Sequence, residues 1–216
     1  MKYDISALGN ALVDTQYMVD YEFLESIGLE ADSMTLASAE EQAPIIKKLI
    51  DMGSESVSDC GGSATNSLIA ASNYGSKCHH VCRVSDDADG KKYLESLRSA
   101  GVDHIGVSSK ESDMPTGKCL ILVTPDAKRT MSSMLGVSAF LATSDIKFDV
   151  IDDSKIFYIE GYMVTSEENF GAVISVLEHL EDKNTLKALS LSDAGIVNAF
   201  KDCLLYTSPS PRDLQG

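Results

Sequence analysis

The sequence predicts an α/β domain built on a mostly parallel sheet, and three observations carry that prediction. Short apolar runs of strand length, at residues 4–8, 77–84 and 155–160, alternate with stretches of helix length. The helical stretches open on Ser38 and Ser166 and close on Gly75 and Gly101, which is start and stop chemistry for helices. The chain has 216 residues, enough to bury one sizeable core. Strands that alternate with helices in this way pair through right-handed crossovers.

Taken in order, residues 4–8 form an apolar run ending at Gly9-Asn10, the form of a buried first strand and its turn. Residues 12–19 alternate loosely, as a half-exposed strand does. Ser38 is placed to cap a helix over 39–50, with Glu40 and Glu41 favourable in its first turn; Pro44 weakens that helix unless it falls in the opening turn. Gly61-Gly62 leads into a small-residue helix over 64–74. A strand follows at 77–84 and a helix at 89–100. Residues 118–124 and 129–135 flank Pro125-Asp-Ala-Lys128, a hairpin signature, and these two strands are expected to lie outside the parallel sheet. A strand at 155–160, a helix over 166–180 and a strand at 186–191 complete the pattern. Repeats, low-complexity tracts and internal linkers are absent from the sequence.

Composition narrows the function. Lys and Arg number 18 against 33 Asp and Glu, a formal charge of −15, which disfavours nucleic acid as a partner because phosphate neutralisation needs a basic surface. No apolar run approaches the roughly 18 residues of a membrane span, and Asp4 arrives too early for a secretory signal. A cytoplasmic protein with no membrane partner is expected. Five cysteines, an odd number without framework spacing, read as reduced thiols.

Residues 203–213 break the pattern and carry Pro209 and Pro211 close together. They are not expected to form a structural element. They can be encoded by codons that resemble the transposon end of a sequencing-library adapter read in frame, so 203–216 is expected to be a non-native tail, with the native chain cut near Asp202.

Phosphate cradles come first among the chemistries an α/β chain invites. Neither Gly90-Lys91 nor Gly117-Lys118 has the leading glycine of G-x-x-x-x-G-K-S/T, and no G-x-G-x-x-G opens a helix. Cys78-His79-His80-Val81-Cys82 resembles a metal cluster, but on a strand only Cys78, His80 and Cys82 share a face, and a buried strand with a polar face is the better reading. His104 and His179 have no nearby nucleophile, and G-x-S-x-G is absent, so hydrolase triads are not indicated. Two features remain at the carboxyl ends of early strands, where open α/β sheets bind ligands. Asn10 and Asp14 place an amide and a carboxylate just after the first strand; a carboxylate there can grip a sugar diol, or Asp14 can be a solvated turn acid. Gly61-Gly62 lets a ligand touch the backbone and puts Asn66 in the first helical turn, or serves only a tight turn before a helix.

The order of these segments resembles the ribokinase, or PfkB-type, family of carbohydrate and nucleoside kinases. The resemblance rests on Ala7-Leu-Gly-Asn-Ala-Leu-Val-Asp14, Gly61-Gly-Ser-Ala-Thr-Asn66 with Gly75, Arg83-Val-Ser-Asp-Asp-Ala-Asp-Gly90, Pro115-Thr-Gly117 with Leu120-Ile-Leu-Val-Thr124, Arg129-Thr-Met131 and Ile159-Glu-Gly-Tyr162. It covers residues 3 to about 202, and it is most similar to the adenosine kinase branch. It implies a ribokinase-like three-layer sandwich with a small β-sheet lid, the lid strands lying near 13–19, 34–37, 118–124 and 129–135. It also implies transfer of a phosphoryl group from ATP, with Mg²⁺, to a primary hydroxyl of a nucleoside, or alternatively of a sugar or sugar acid. By the same resemblance Asp14 holds the ribose 2′- and 3′-hydroxyls, Asn66 the 3′ side, Asn10 lines the pocket, Gly61 and Gly62 admit the substrate and hinge the lid, and Arg129 points toward the transferred phosphate. Phe157, Tyr162 and Leu135 would either contact a base or pack in the core. Relatives are monomers or homodimers.

Departures qualify that picture. The family's second signature, D-T-x-G-A-G-D, which supplies an anion hole and the aspartate base, is missing, as is the N-x-x-E segment expected to organise Mg²⁺. The chain is therefore expected to be the N-terminal part, residues 1–202, of a kinase domain, to hold most of the acceptor site, and to be inactive by itself, leaving ligand binding without catalysis as the rival from another class. Cys82 and Ser85 stand where relatives often carry glycines, a difference expected to affect packing only.

Overall fold

The structure, a computed structural model, describes residues 1–109 and 114–207. In chain order it runs β1 (Tyr3–Leu8), β2 (Leu12–Met18), α1 (Tyr21–Ile27), β3 (Met34–Leu36), α2 (Ala39–Asp51), β4 (Ser56–Gly61), α3 (Ser63–Asn73), β5 (Cys78–Ser85), α4 (Ala88–Ser99) and β6 (Val102–Ser109). It continues through β7 (Gly117–Val123), β8 (Arg129–Met134), α5 (Phe148–Asp152), β9 (Ser154–Ile159), α6 (Glu167–His179), β10 (Leu186–Leu189), α7 (Ala194–Ala199) and α8 (Lys201–Thr207). Short 3-10 turns follow β8 and β9.

Two five-stranded sheets organise the chain. The central sheet has the order β10-β9-β1-β5-β6 and is parallel throughout, with β1 at its middle: Leu8 stands opposite Val81 on one side and Ile159 on the other. Alternation along β1 sends Leu8 to one face and Ala7 to the other. Leu8 joins Val81, Phe157, Ile159, Val173 and Val176 in a core under α5 and α6. Ala7 joins Ala64, Leu68, Cys82, Tyr93 and Leu97 under α3 and α4. Helices on both faces make the three-layer sandwich, and they explain why apolar residues on the central strands occur on both faces rather than in strict alternation.

The second sheet, order β3-β8-β7-β2-β4, mixes parallel and antiparallel pairs, and the predicted hairpin β7–β8 belongs to it. One face packs on α1 and α2 through Tyr17, Phe23, Leu24, Leu49, Leu120 and Leu122. The other face presents Leu12, Cys119, Ile121 and Met131 toward the carboxyl ends of the central strands. α2 carries the predicted Ser38 cap as a full capping box with Glu41. Pro44 sits inside this helix, past the opening turn. The carbonyl it leaves without an N–H partner belongs to exposed Glu40, where water can serve it, so the helix survives.

Elements without a sequence prediction are β4, β6, α1, α5 and α7. The tail differs from expectation. Cys203 to Thr207 lie in α8, with Leu204 and Thr207 buried and Leu204 packed with Val164 and Ile196. Leu204 falls on the same helical face as the apolar residues before it, and burying a leucine contributes about 1.5–3 kcal/mol, enough to order a segment whose composition reads as irregular. Residues 208–216, with Pro209 and Pro211, lie outside the described residues.

Candidate functional site

Where the lid sheet meets the carboxyl ends of β1 and β9, a cavity of about 240 Å³ opens. Its floor comes from the main domain: Asn10 after β1, Gly62, Ser63 and Asn66 at the start of α3, and Glu160 after β9. Its opposite wall comes from the lid: Leu12 and Asp14 on β2, Met34 and Leu36 on β3, Cys119 and Ile121 on β7, and Met131 on β8. Arg129, Leu135 and Tyr162 also line it. Five of the six residues singled out in the sequence, Asn10, Asp14, Gly62, Asn66 and Arg129, thus reach one cavity from four segments.

Gly61 does not line the cavity; it lies behind Asp14. A Cβ on Gly61 would sit 2.1 Å from the Asp14 Cγ, so the absent side chain is what lets the carboxylate occupy its position. Gly62 has φ +100°, and a Cβ there would lie 2.3 Å from the Asn10 carbonyl oxygen. The pair therefore closes two chain segments onto each other as they pass from lid to main domain.

Asp14 is half-buried on the cavity side of β2, paired in register with Asp59 of β4 and Cys119 of β7. Loss of water raises its pKa to about 6; the Asp59 carboxylate pushes the same way, and the Arg129 guanidinium opposes both. Cys119 is a buried neighbour whose thiol is pushed up to about 11 by burial, so it lines the wall as an apolar group.

Beneath the floor lies a polar network that fixes the turn after β1. Glu160 is fully buried; its Oε1 accepts from Asn10 Nδ2 at 3.2 Å, and its Oε2 accepts from the Ala64 backbone N–H at 2.9 Å. α3 has no side-chain cap of its own because Gly62 occupies the cap position, and Glu160 supplies the missing acceptor from 96 residues away. Burial raises the Glu160 pKa, while the hydrogen bonds from Ala64 and Asn10 work against that rise. The Asn10 Oδ1 accepts from Asn169 Nδ2 at 3.1 Å and from Ser138 Oγ at 3.3 Å. Asn10 is accordingly a brace that ties the floor to α6 as well as a lining residue.

Cys78, His80 and Cys82 are buried on β5 between α3, α4 and the sheet. His80 Nδ1 meets the Ala7 carbonyl at 3.4 Å, which requires a proton on Nδ1; Nε2 then accepts from Thr65 Oγ1 at 3.1 Å, and Thr65 in turn pairs with the Tyr93 hydroxyl at 2.5 Å. Burial lowers the His80 pKa to about 3, so the ring stays neutral within this string. Among the described residues no group of three or more His, Cys, Asp or Glu is placed to hold a metal ion. Phe157 is wholly in the core, whereas Tyr162 and Leu135 reach the cavity. Ser85 donates to the Met114 carbonyl and Cys82 packs beside Tyr93, both packing roles.

Sequence reasoning missed Glu160, Asn169, Ser138 and the Met34–Met131 wall. An acid at the carboxyl end of the apolar run Ile156-Phe-Tyr-Ile159, followed by Gly161, is a signal for the first. The others carry no local signal.

The family model for pfkB carbohydrate kinases matches residues 24–208. The adenosine kinase of Saccharomyces cerevisiae is 26% identical over 216 residues, covering 97% of this chain and 62% of that protein. The crystal structure of adenosine kinase from Sinorhizobium meliloti superposes with TM-score 0.85 at 28% identity, covering 95% of this chain and 62% of the other. A probable sugar kinase from Rhizobium etli gives TM-score 0.84 at 26% identity, covering 94% and 60%. The chain spans about three fifths of the length of each of these three relatives.

Proposed function

The chain belongs to the pfkB family of carbohydrate kinases, and on that premise we propose that its cavity is the acceptor site of a phosphotransferase that acts on a primary hydroxyl of an adenosine-like nucleoside. The observation that carries the choice of a nucleoside is the mixed lining of the cavity: the Asp14 carboxylate and the polar floor beside the apolar side chains of the lid, Leu12, Met34, Leu36, Ile121 and Met131. A free sugar offers hydroxyls all round and gains little from such a wall; a nucleoside pairs a diol with an apolar ring system.

In this reading Asp14 accepts both ribose hydroxyls, Asn66 bonds the 3′ side, and the floor is held by the Asn10–Glu160 brace. Arg129, exposed on β8 at the rim, offsets charge on the transferred group. The lid wall excludes water from the reacting hydroxyl. ATP and Mg²⁺ are the cosubstrate and metal that family membership suggests; nothing assigned to Asp14, Asn66 or Arg129 depends on the metal, for which the described residues offer no ligand set. With the D-T-x-G-A-G-D aspartate absent from the sequence, this chain is proposed to bind acceptor without turning it over. Residues 1–202 are then the N-terminal part of the kinase domain and 203–216 a non-native tail, which sequencing of the native transcript past Asp202 tests.

Thermal shift provides the direct test of the acceptor. Adenosine at a given concentration is expected to raise the melting temperature more than ribose does; an equal or larger shift with ribose turns the assignment toward a sugar kinase, and no shift with either removes the acceptor site.

The charge state of Asp14 adds a second expectation. The carboxylate must be ionised to accept two hydroxyls, so adenosine affinity should be flat above pH about 6, where the group is ionised in the free protein, and fall about tenfold per pH unit below it. Calorimetric titration from pH 8 to pH 5 measures this, and a flat profile across the range contradicts the role given to Asp14.

A further inference from the structure

We propose that Asp193 is a positioning residue of the acceptor pocket, acting by holding the Tyr162 ring in place as one of its walls, a role that rests on the acceptor reading of the cavity.

Tyr162 is flanked by empty space on two sides. It lines the acceptor cavity and also a neighbouring cavity of about 530 Å³, shared with Met34, Arg129 and Met131. A ring in that position can lean either way unless something fixes it. Its hydroxyl donates to Asp193 Oδ2 at 2.5 Å. The other oxygen of Asp193 accepts from the backbone N–H groups of Gly195, at 2.7 Å, and Ile196, at 3.1 Å, where it caps α7. Both ends of the carboxylate are therefore committed, and the phenol is held by an acceptor that is itself held.

The two turns that meet here are shaped to each other. A Cβ on Gly161 would lie 2.3 Å from the Ser190 carbonyl oxygen and 2.7 Å from Ser192 Oγ, so the backbone after β9 touches the backbone after β10. Ser192 takes a left-handed conformation, φ 65°, to bring Asp193 round, and its N–H is held by Ser190 Oγ at 3.0 Å. Below the contact, Tyr162 packs against the buried cluster of Val164, Ile196 and Leu204, as Phe170 and Phe200 do. A phenylalanine would satisfy that apolar bed. The hydroxyl and its carboxylate add direction, fixing where the ring stands between the two cavities, at the cost of desolvating a charge.

Three variants separate this role from simple stability. Asp193→Asn leaves one acceptor where there were two, so cap and tether compete. Asp193→Ser retains a good helix cap but is too short to reach the phenol, and Tyr162→Phe removes the tether alone. Adenosine affinity is expected to fall about tenfold in Asp193→Ser and in Tyr162→Phe, and no further in the double variant, because the two residues act as one unit. Melting temperatures of these variants should stay within a few degrees of the parent. Tyrosinate absorbance gives a ligand-free signature: the phenol lost in Tyr162→Phe should titrate above the ordinary tyrosine range in the parent and move back toward it in Asp193→Ser.

A parent that binds adenosine while either single variant binds it equally well overturns the proposal, as do losses that add in the double variant. A parent that binds neither adenosine nor ribose overturns the acceptor reading itself and the role with it, whatever the tyrosinate signal shows.

Discussion

Asp14→Asn is expected to give a more stable protein that has lost its ligand. In the folded chain the Asp14 pKa stands at about 6 against an ordinary value of 3.8, with burial as the largest cause and Asp59 adding to it. Between those two values the folded state holds a proton that the unfolded state has released. Stability from this group is thus complete below the unfolded pKa and is lost as pH rises through the folded one. At pH 7 the ionised carboxylate costs up to about 3 kcal/mol, because each tenfold change in proton affinity is worth roughly 1.4 kcal/mol. Asparagine has the same shape, stays clear of Gly61 and carries no charge to desolvate. It should raise stability by about 1–3 kcal/mol at pH 7, or several degrees of melting temperature for a chain of this size. Near pH 4 the gain should vanish, because the parent is then neutral at this position too. Nucleoside affinity should drop about 100-fold, since an amide oxygen replaces two charge-assisted hydrogen bonds with one neutral bond. Urea unfolding at both pH values, with and without adenosine, checks all three parts. An asparagine variant that is less stable than the parent at pH 7 refutes the electrostatic account, and this is the trade of stability for function found at binding sites.

The second large effect is steric and should be reversible. Gly61→Ala is expected to destabilise the chain by about 2–4 kcal/mol, because the new methyl would occupy the space of the Asp14 carboxyl carbon. The Gly61 backbone is not in the left-handed region, so conformational strain contributes nothing. Removing the obstruction should therefore restore most of the loss: Asp14→Ala, combined with Gly61→Ala, is expected to be far more stable than the sum of the two single changes predicts. Gly62→Ala makes the contrast. Its Cβ meets the Asn10 backbone carbonyl and its φ is +100°, so truncating a side chain offers no relief. Equal rescue of both glycine variants by Asp14→Ala would show that Gly61 does not exist to make room for the carboxylate.

Much of the fold was legible because strands covered on both faces carry short stretches with apolar residues on both sides, such as Ala7-Leu8 in β1 and Ile156-Phe-Tyr-Ile159 in β9. The helix over Ala39–Asp51 was legible from Ser38 and its acidic first turn. β4 was not. It is an edge strand of the lid whose only large apolar residue, Val57, is 74% exposed, so neither alternation nor an apolar run marks it. The helical part of the tail escaped because Ser and Pro downstream dominated the composition of the segment. At the site, residue identities were legible and their states were not. Asp14 could be picked out by position, but its proton affinity is set by burial and by Arg129 and Asp59, on strands distant in sequence. Glu160 is the clearest case, since its partners Asn10 and Ala64 lie 150 and 96 residues earlier.

The central place of β1 has a consequence during synthesis. β1 is made before both of its neighbours, β5 and β9, whose paired residues Val81 and Ile159 come long after Leu8. At translation rates of about 5–20 residues per second, roughly 8–30 s separate the emergence of β1 from that of β9. For that interval a largely apolar segment, Ile5 to Leu8 with one serine, has no strand to pair with on one side. The nascent chain is accordingly a candidate client for chaperones that shield exposed hydrophobic segments, and its folding yield should depend on how fast the ribosome delivers the middle of the message.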